Sequence, residues 1–269
     1  MHAICTTCGT QFAETENWPE DCPICNDERQ YVGLDGQQWT TLEQLRTDHN
    51  TKIAVEEPGL TSFVIEPHFG IGQRAFLIET PEGNILWDCI SLLDEPTIGR
   101  IRSAGGLAAI CISHPHYYTT MVEWSRPFAN IPVYLHGDDA RWVMRRDPCI
   151  HFWNGENKPL PGGLTLIRCG GHFDGAAVLH WPAGANGKGV LLSADTIQVV
   201  ADRRFVSFMY SYPNYIPLNA NAVRRIVDAV EPFGFDRMYG AFPNLTIKSE
   251  AKAAIRRSAD RYLRAIGAD

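Results

Sequence analysis

Two sets of residues in this 269-residue chain have the types and spacing to hold a metal ion. The first is Cys5-x-x-Cys8 and Cys22-x-x-Cys25, two pairs separated by 13 residues within the first 25. Each pair forms a tight knuckle that sets both sulfurs on one side of the backbone. Gly9 permits the positive φ such knuckles favour, and Pro23 stiffens the second turn. Four thiolates at this spacing fit a closed tetrahedral site that accepts zinc or iron. The second set is His114-Pro115-His116, then His172 in Cys169-Gly170-Gly171-His172, then Asp195 after Val190-Leu191-Leu192-Ser193-Ala194. In extended or turn backbone, positions i and i+2 point the same way, and Pro115 restricts His114 to extended geometry. All three segments follow apolar runs that read as strands. Strand ends gathered on one rim of a sheet sandwich are where a site forms, and three neutral imidazoles with one carboxylate suit zinc or ferrous iron.

Composition narrows the setting. The chain is 45% apolar and 20% charged, which is ordinary globular composition. A chain of this length buries a core without disulfides. No run of about 18 apolar residues exists to span a membrane, and the N-terminus lacks a basic segment followed by an apolar one, so a cytoplasmic protein is expected. Thiols stay reduced there, so eight cysteines ask for a metal or a reactive role. Cys89, Cys111, Cys149 and Cys169 are scattered and read as buried small hydrophobes. Residues 1–33 hold six acids and one base, which is −5 of the net charge of −7. A nucleic-acid-binding knuckle needs the opposite sign. This one is expected to dock on its own large domain or on a protein partner. Its small size makes the metal its source of folding energy.

The elements that position these residues follow from pattern. Residues 34–60 read as a linker with one short helix near 41–48. Strands are expected at 62–66, 74–79, 85–88, 108–113, 133–136, 164–168, 176–181, 190–193 and 237–239, with a hairpin turn at Pro81-Glu82-Gly83-Asn84. Helices are expected at 96–104, 138–145, 221–230 and 249–266, with N-caps at Asp94, Asn219 and Ser249. Hairpins first and alternation later suggest two mixed sheets sandwiched by helices. The aromatic run 208–217 is expected to line a pocket or to pack on a helix. The basic residues from Lys248 to Arg264 read as a solvated helix face. The other histidines, His68, His136, His151 and His180 among them, read as structural or surface residues.

The motifs carry a resemblance. The hairpin RAFLIETPEGNILWDC, SHPHYYTT, and GGHFDGAAVLHW followed by VLLSADT resemble, in order, the anchors of the metallo-β-lactamase superfamily, over about residues 61–245. CTTCG and CPIC resemble zinc-ribbon and rubredoxin-like knuckles. The implied fold is α/β (α+β), a four-layer αββα metallo-β-lactamase-like sandwich at 61–269, joined by the linker 34–60 to a small metal-binding knuckle at 1–33. The resemblance implies one metal held by His114, His116, His172 and Asp195. Tyr118 and Thr119 stand where the family has the Asp and His of a second site. Gly240-Ala241-Phe242 lacks the late histidine, so a second metal is not expected.

The resemblance implies a mononuclear, zinc-dependent hydrolase of an ester, thioester or lactone. Asp195 is then a fourth ligand or the general base, and the Tyr118 hydroxyl is an oxyanion donor, a ligand or a filler. Asp174 either orients His172 or is a turn acid. Two other readings compete. One is an iron oxidoreductase or electron-transfer protein with iron at either site. The other is a binding module that has lost its chemistry. The fold by itself does not select a substrate.

Overall fold

The computed structural model describes residues 1–268, which divide into two compact units, Met1–Leu135 with Asp139–Phe152, and 136–138 with 153–268.

The first unit carries a seven-stranded sheet. Across it run Ile150–Trp153, Val133–His136, Ala109–Cys111, Ile85–Trp87, Ala75–Ile78, Leu60–Glu66 and Asn50–Glu57. The central strands are short and buried throughout, because their side chains are apolar on both faces. Ala75–Ile78 and Ile85–Trp87 pair antiparallel across the expected turn, where Gly83 takes a φ of 125° and donates to Thr80 O at 3.2 Å. Ile85–Trp87 then pairs parallel with Ala109–Cys111, and the helix Glu95–Ser103 makes the crossover. Asp94 caps that helix as expected, accepting from Thr97 N at 3.0 Å. Its other oxygen accepts from Thr51 N at 2.8 Å.

That second bond falls in the stretch 34–60, where the structure departs from the expected linker. Trp39–Thr40 pairs with His2–Cys5, and Leu42–Asp48 is the expected helix. Asn50–Glu57 is a strand of the large sheet, paired with Leu60–Glu66 across Pro58-Gly59. The strand lies at the sheet edge with half of its residues exposed, so its polar composition imitates a linker.

The N-terminal segment is a three-stranded sheet in the order Gln11–Glu14, His2–Cys5, Trp39–Thr40. Pro23–Asn26 follows as a single helical turn.

The second unit carries a six-stranded sheet. Its order is Asn157–Pro159, Thr165–Arg168, Ala177–Trp181, Val190–Ala194, Arg237–Gly240 and Thr246–Ile247. Two helices cover it, Ala220–Val230 and Ala251–Ala265. Val223, Ile226 and Val230 from the first and Ala251, Ala254 and Ile255 from the second pack on Ile167, Val178, Leu191 and Met238 of the sheet. Asn219 caps the first helix through Ala222 N at 3.0 Å. The second begins after Glu250, which has a left-handed φ of 57° and no side-chain cap, so Ser249 is not its cap. The expected helix 138–145 is instead a 3-10 turn over Gly137–Trp142. Lys252 and Arg256 pair with Glu231, and Arg261 stacks 3.8 Å from the Phe205 ring centroid, consistent with a solvated basic face.

Candidate functional site

The cysteines of the N-terminal segment converge. Cys5 ends the strand His2–Cys5, Cys8 lies in the turn after it, and Cys22 and Cys25 flank and occupy the turn Pro23–Asn26. Gly9 N donates to Cys5 O at 2.8 Å and Asn26 N to Cys22 O at 3.0 Å, which closes the two knuckles. Gly9 has the left-handed φ of 81° that the turn requires. Cys5 and Cys25 Sγ lie 3.6 Å apart, and Cys8 and Cys22 Sγ 3.7 Å apart. A zinc–sulfur bond of about 2.3 Å gives tetrahedral sulfur–sulfur edges of about 3.8 Å, so the donor set fits one such ion. Gln37 Nε2 donates to Cys5 Sγ at 3.1 Å. A lone glutamine so far from the cysteines carries no sequence signal of that role.

The histidine set is built from strand ends. Beyond Ala109–Cys111 the backbone N of Ser113 donates to Asp88 Oδ1 at 2.8 Å. Asp88 itself has a left-handed φ of 64° at the end of its own strand. Ser113 Oγ lies 2.9 Å from His114 Nδ1, which fixes that ring and leaves the buried Nε2 as its other nitrogen. His114 is extended, with φ −168° and ψ 172°, as Pro115 demands. The 3-10 turn Pro115–Tyr117 then carries His116, whose ring centroid lies 5.3 Å from that of His114.

His172 follows Thr165–Arg168 through Gly170 and Gly171, both at positive φ. Its Nδ1 lies 2.9 Å from Tyr210 O and 3.3 Å from Met209 O. A carbonyl only accepts, so Nδ1 carries the proton and Nε2 the lone pair, the tautomer a metal ligand needs. Asp195 follows Val190–Ala194, where Ala194 turns the chain with a φ of 46°. Tyr212 Oη donates to Asp195 O at 2.9 Å, and its ring lies 5.8 Å from that of His172. Burial, then the Asp195 charge, push the Tyr212 phenol well up, so it stays a neutral donor.

One ligand atom from each of His114, His116, His172 and Asp195 lies within 4.8 Å of the others, and all four side chains are buried. Three imidazoles and a carboxylate are a donor set for zinc or ferrous iron. Among the described residues, this group and the four cysteines are the two clusters able to hold a metal.

Tyr118 is buried beside Asp139, and burial with that charge pushes its phenol well above the ordinary value. Asp174 is exposed while the Tyr210 and Met209 carbonyls orient His172, so Asp174 is a turn acid. His136 and His180 bond Gly155 O and Gly234 O, and burial lowers both pKa values. Cys149 and Cys169 are buried, which pushes their thiols up to about 11 and about 12. The aromatic run divides its roles: Phe208 is fully buried against Tyr262, whereas the backbone at Met209 and Tyr210 serves His172. That backbone role is invisible to composition.

No family model matches the chain. It is 50% identical over 268 residues to the uncharacterized protein YmaE of Bacillus subtilis (strain 168), covering 99% of this chain and 97% of that one. Among solved structures it is similar to the DIM-1 metallo-β-lactamase, with a TM-score of 0.59 and 12% identity over 80% of this chain and 98% of the other. It is similar also to the metallo-β-lactamase FIM-1 from Pseudomonas aeruginosa, solved in its mono-zinc form, with a TM-score of 0.57 and 13% identity over 80% and 96%. The fold is therefore the metallo-β-lactamase sandwich that the motifs implied.

Proposed function

This chain belongs to one family with YmaE and has the metallo-β-lactamase fold, and on that premise we propose that it is a hydrolase working with a single zinc ion, on an ester, thioester or lactone. The observation that carries the reading is the convergence of buried donors from His114, His116, His172 and Asp195 within 4.8 Å. Tyr118 and Thr119 offer no carboxylate or imidazole for a second ion, and a neighbour of this fold is known in a mono-zinc form.

An ion in this donor set supplies Lewis acidity toward a carbonyl and makes water a better nucleophile near neutral pH. The chain's own residues supply orientation. Ser113 and the Tyr210 carbonyl hold the rings of His114 and His172 by their Nδ1 atoms, so each presents Nε2. Asp195 completes the donor set or, detached, accepts the proton of the attacking water. Tyr118 is buried and keeps its phenolic proton, and in this reading its hydroxyl is an oxyanion donor, a ligand or a filler of the space where the family has its second-site acid. The substrate is a small molecule, and the setting of this reading is the cytoplasm, where thiols stay reduced and available to a metal. Among the described residues no helix is long and apolar enough to cross a membrane.

The test is metal analysis of the purified chain together with turnover on a panel of esters, thioesters and lactones. We expect two zinc ions per chain, with His114→Ala removing one ion and the turnover. Metal content and turnover unchanged by that substitution would sink the reading. Iron in place of zinc, with visible colour, favours the redox reading. An occupied pocket without turnover favours a binding module.

A further inference from the structure

The four-cysteine knuckle lies against the segment that carries His114 and His116. Gln11 N, three residues beyond Cys8, donates to Thr119 O at 3.0 Å. Ser91 Oγ donates to Gly9 O at 2.9 Å, and Thr120 Oγ1 donates to Ser91 O at 3.1 Å. A Cβ at Gly9 would stand 2.2 Å from Ser91 Oγ, so only glycine permits the approach. Arg145, buried, bridges the two segments by donating to Gln11 Oε1 and, at 2.6 Å, to Glu123 Oε1. The cavity left among Cys8, Gly70, Ser91 and Thr119 is about 20 Å³, room for one water. The contacts therefore form a short relay from Cys8 and Gly9 through Ser91 and Gln11 to Thr119 and Thr120.

Thr119 has a φ of 21°, and Ala129 and Asn130 downstream are also left-handed. A non-glycine residue at such an angle persists only where its surroundings hold it. Gln11 N of the knuckle segment holds the Thr119 carbonyl, while Thr119 Oγ1 donates to Tyr117 O at 3.4 Å within the turn itself. Closing the four sulfurs on an ion fixes Cys8, and Gly9 and Gln11 with it.

We propose that the knuckle positions the His114–Thr119 turn, so that loading of the cysteine site orders the two histidines from outside their own donor set. Gly9, Gln11 and Ser91 are then positioning residues. The relay stands whether or not the histidine set turns over a substrate.

The experiment uses the full chain loaded with cobalt(II). Thiolate-to-cobalt absorption reports the knuckle, and hydrogen exchange read by mass spectrometry reports the turn. Ser91→Ala should keep the thiolate absorption, while amides in 114–124 exchange on the order of tenfold faster and those in 251–265 do not change. Cys8→Ser should lose that absorption and accelerate 114–124 at least as much. If Cys8→Ser does not fold, Ser91→Ala decides the matter alone. Acceleration confined to residues 1–40, acceleration spread over the whole chain, or a wild-type chain without thiolate absorption overturns the proposal. Absence of a second, thiolate-free cobalt signal in the wild type counts against the hydrolase reading and leaves the exchange result standing.

Discussion

The two donor clusters of this molecule are opposites in construction. The cysteine cluster is assembled from two local turns within 25 residues of chain, and each turn closes on itself through its own backbone hydrogen bonding. The histidine–aspartate cluster draws on three strand ends that are distant in sequence, and the rings of His114 and His172 are held by partners outside the donor set. The contrast shows two ways to arrange ligands. A soft, four-sulfur shell needs little support, because the ion itself organises a small segment. A shell meant to do chemistry must be organised beforehand by the fold, because an open position has to survive beside it.

The largest effect that would break this contrast is expected at the cysteines. Cys22→Ala should remove one ion and cost several kcal/mol, since structural zinc is worth on the order of 10 kcal/mol in small peptides. A thermal melt with metal analysis checks it; an unchanged melting temperature means the knuckle is not held by its ion. Next is His116→Ala, expected to lose the pocket ion and reduce turnover by roughly a thousandfold while moving the melting temperature little. A large stability loss instead would make both clusters structural.

Ser113→Ala sharpens the comparison further. It leaves every ligand in place but frees the Nδ1 side of His114, so affinity for the pocket ion should fall by about 10–100-fold, read by competition with a chelator. Unchanged affinity would show that strand geometry alone orients the ring. The smallest effect lies away from both clusters. Asp94→Ala removes a helix cap and a bond to Thr51, costing about 1 kcal/mol without altering either metal content. Burial works to raise the Asp94 pKa, yet hydrogen bonds from Thr97 and Thr51 outweigh it and lower the value. A lowered folded pKa means the contribution is present above the ordinary carboxylate range and is lost as pH falls through the folded value. Wild type and variant should therefore converge in stability in acid.

Legibility followed the same division. Strands such as Ala75–Ile78 and Ile85–Trp87 are readable because they are buried on both faces and therefore uniformly apolar. Asn50–Glu57 was not, because an edge strand in solvent composes itself like a linker. Ser249 looked like a cap by residue type, but the chain enters the last helix through a left-handed Glu250. The ligand candidates were legible by type and spacing. Their supports were not, since Tyr210 and Met209 act through carbonyls that every residue possesses.

The sequence by itself determined the donor types, the two-turn architecture of the cysteine segment and the apolar strands that end in His114, His172 and Asp195. Those are local properties, set by side-chain chemistry and by the few residues around each turn. Only the tertiary structure decided that four of those donors meet within 4.8 Å, which nitrogen each fixed ring presents, and that Gly9 and Gln11 bond to Ser91 and Thr119. These depend on backbone groups brought together by sheet register and long-range packing, and a carbonyl or an amide carries no mark of its partner in the one-dimensional chain.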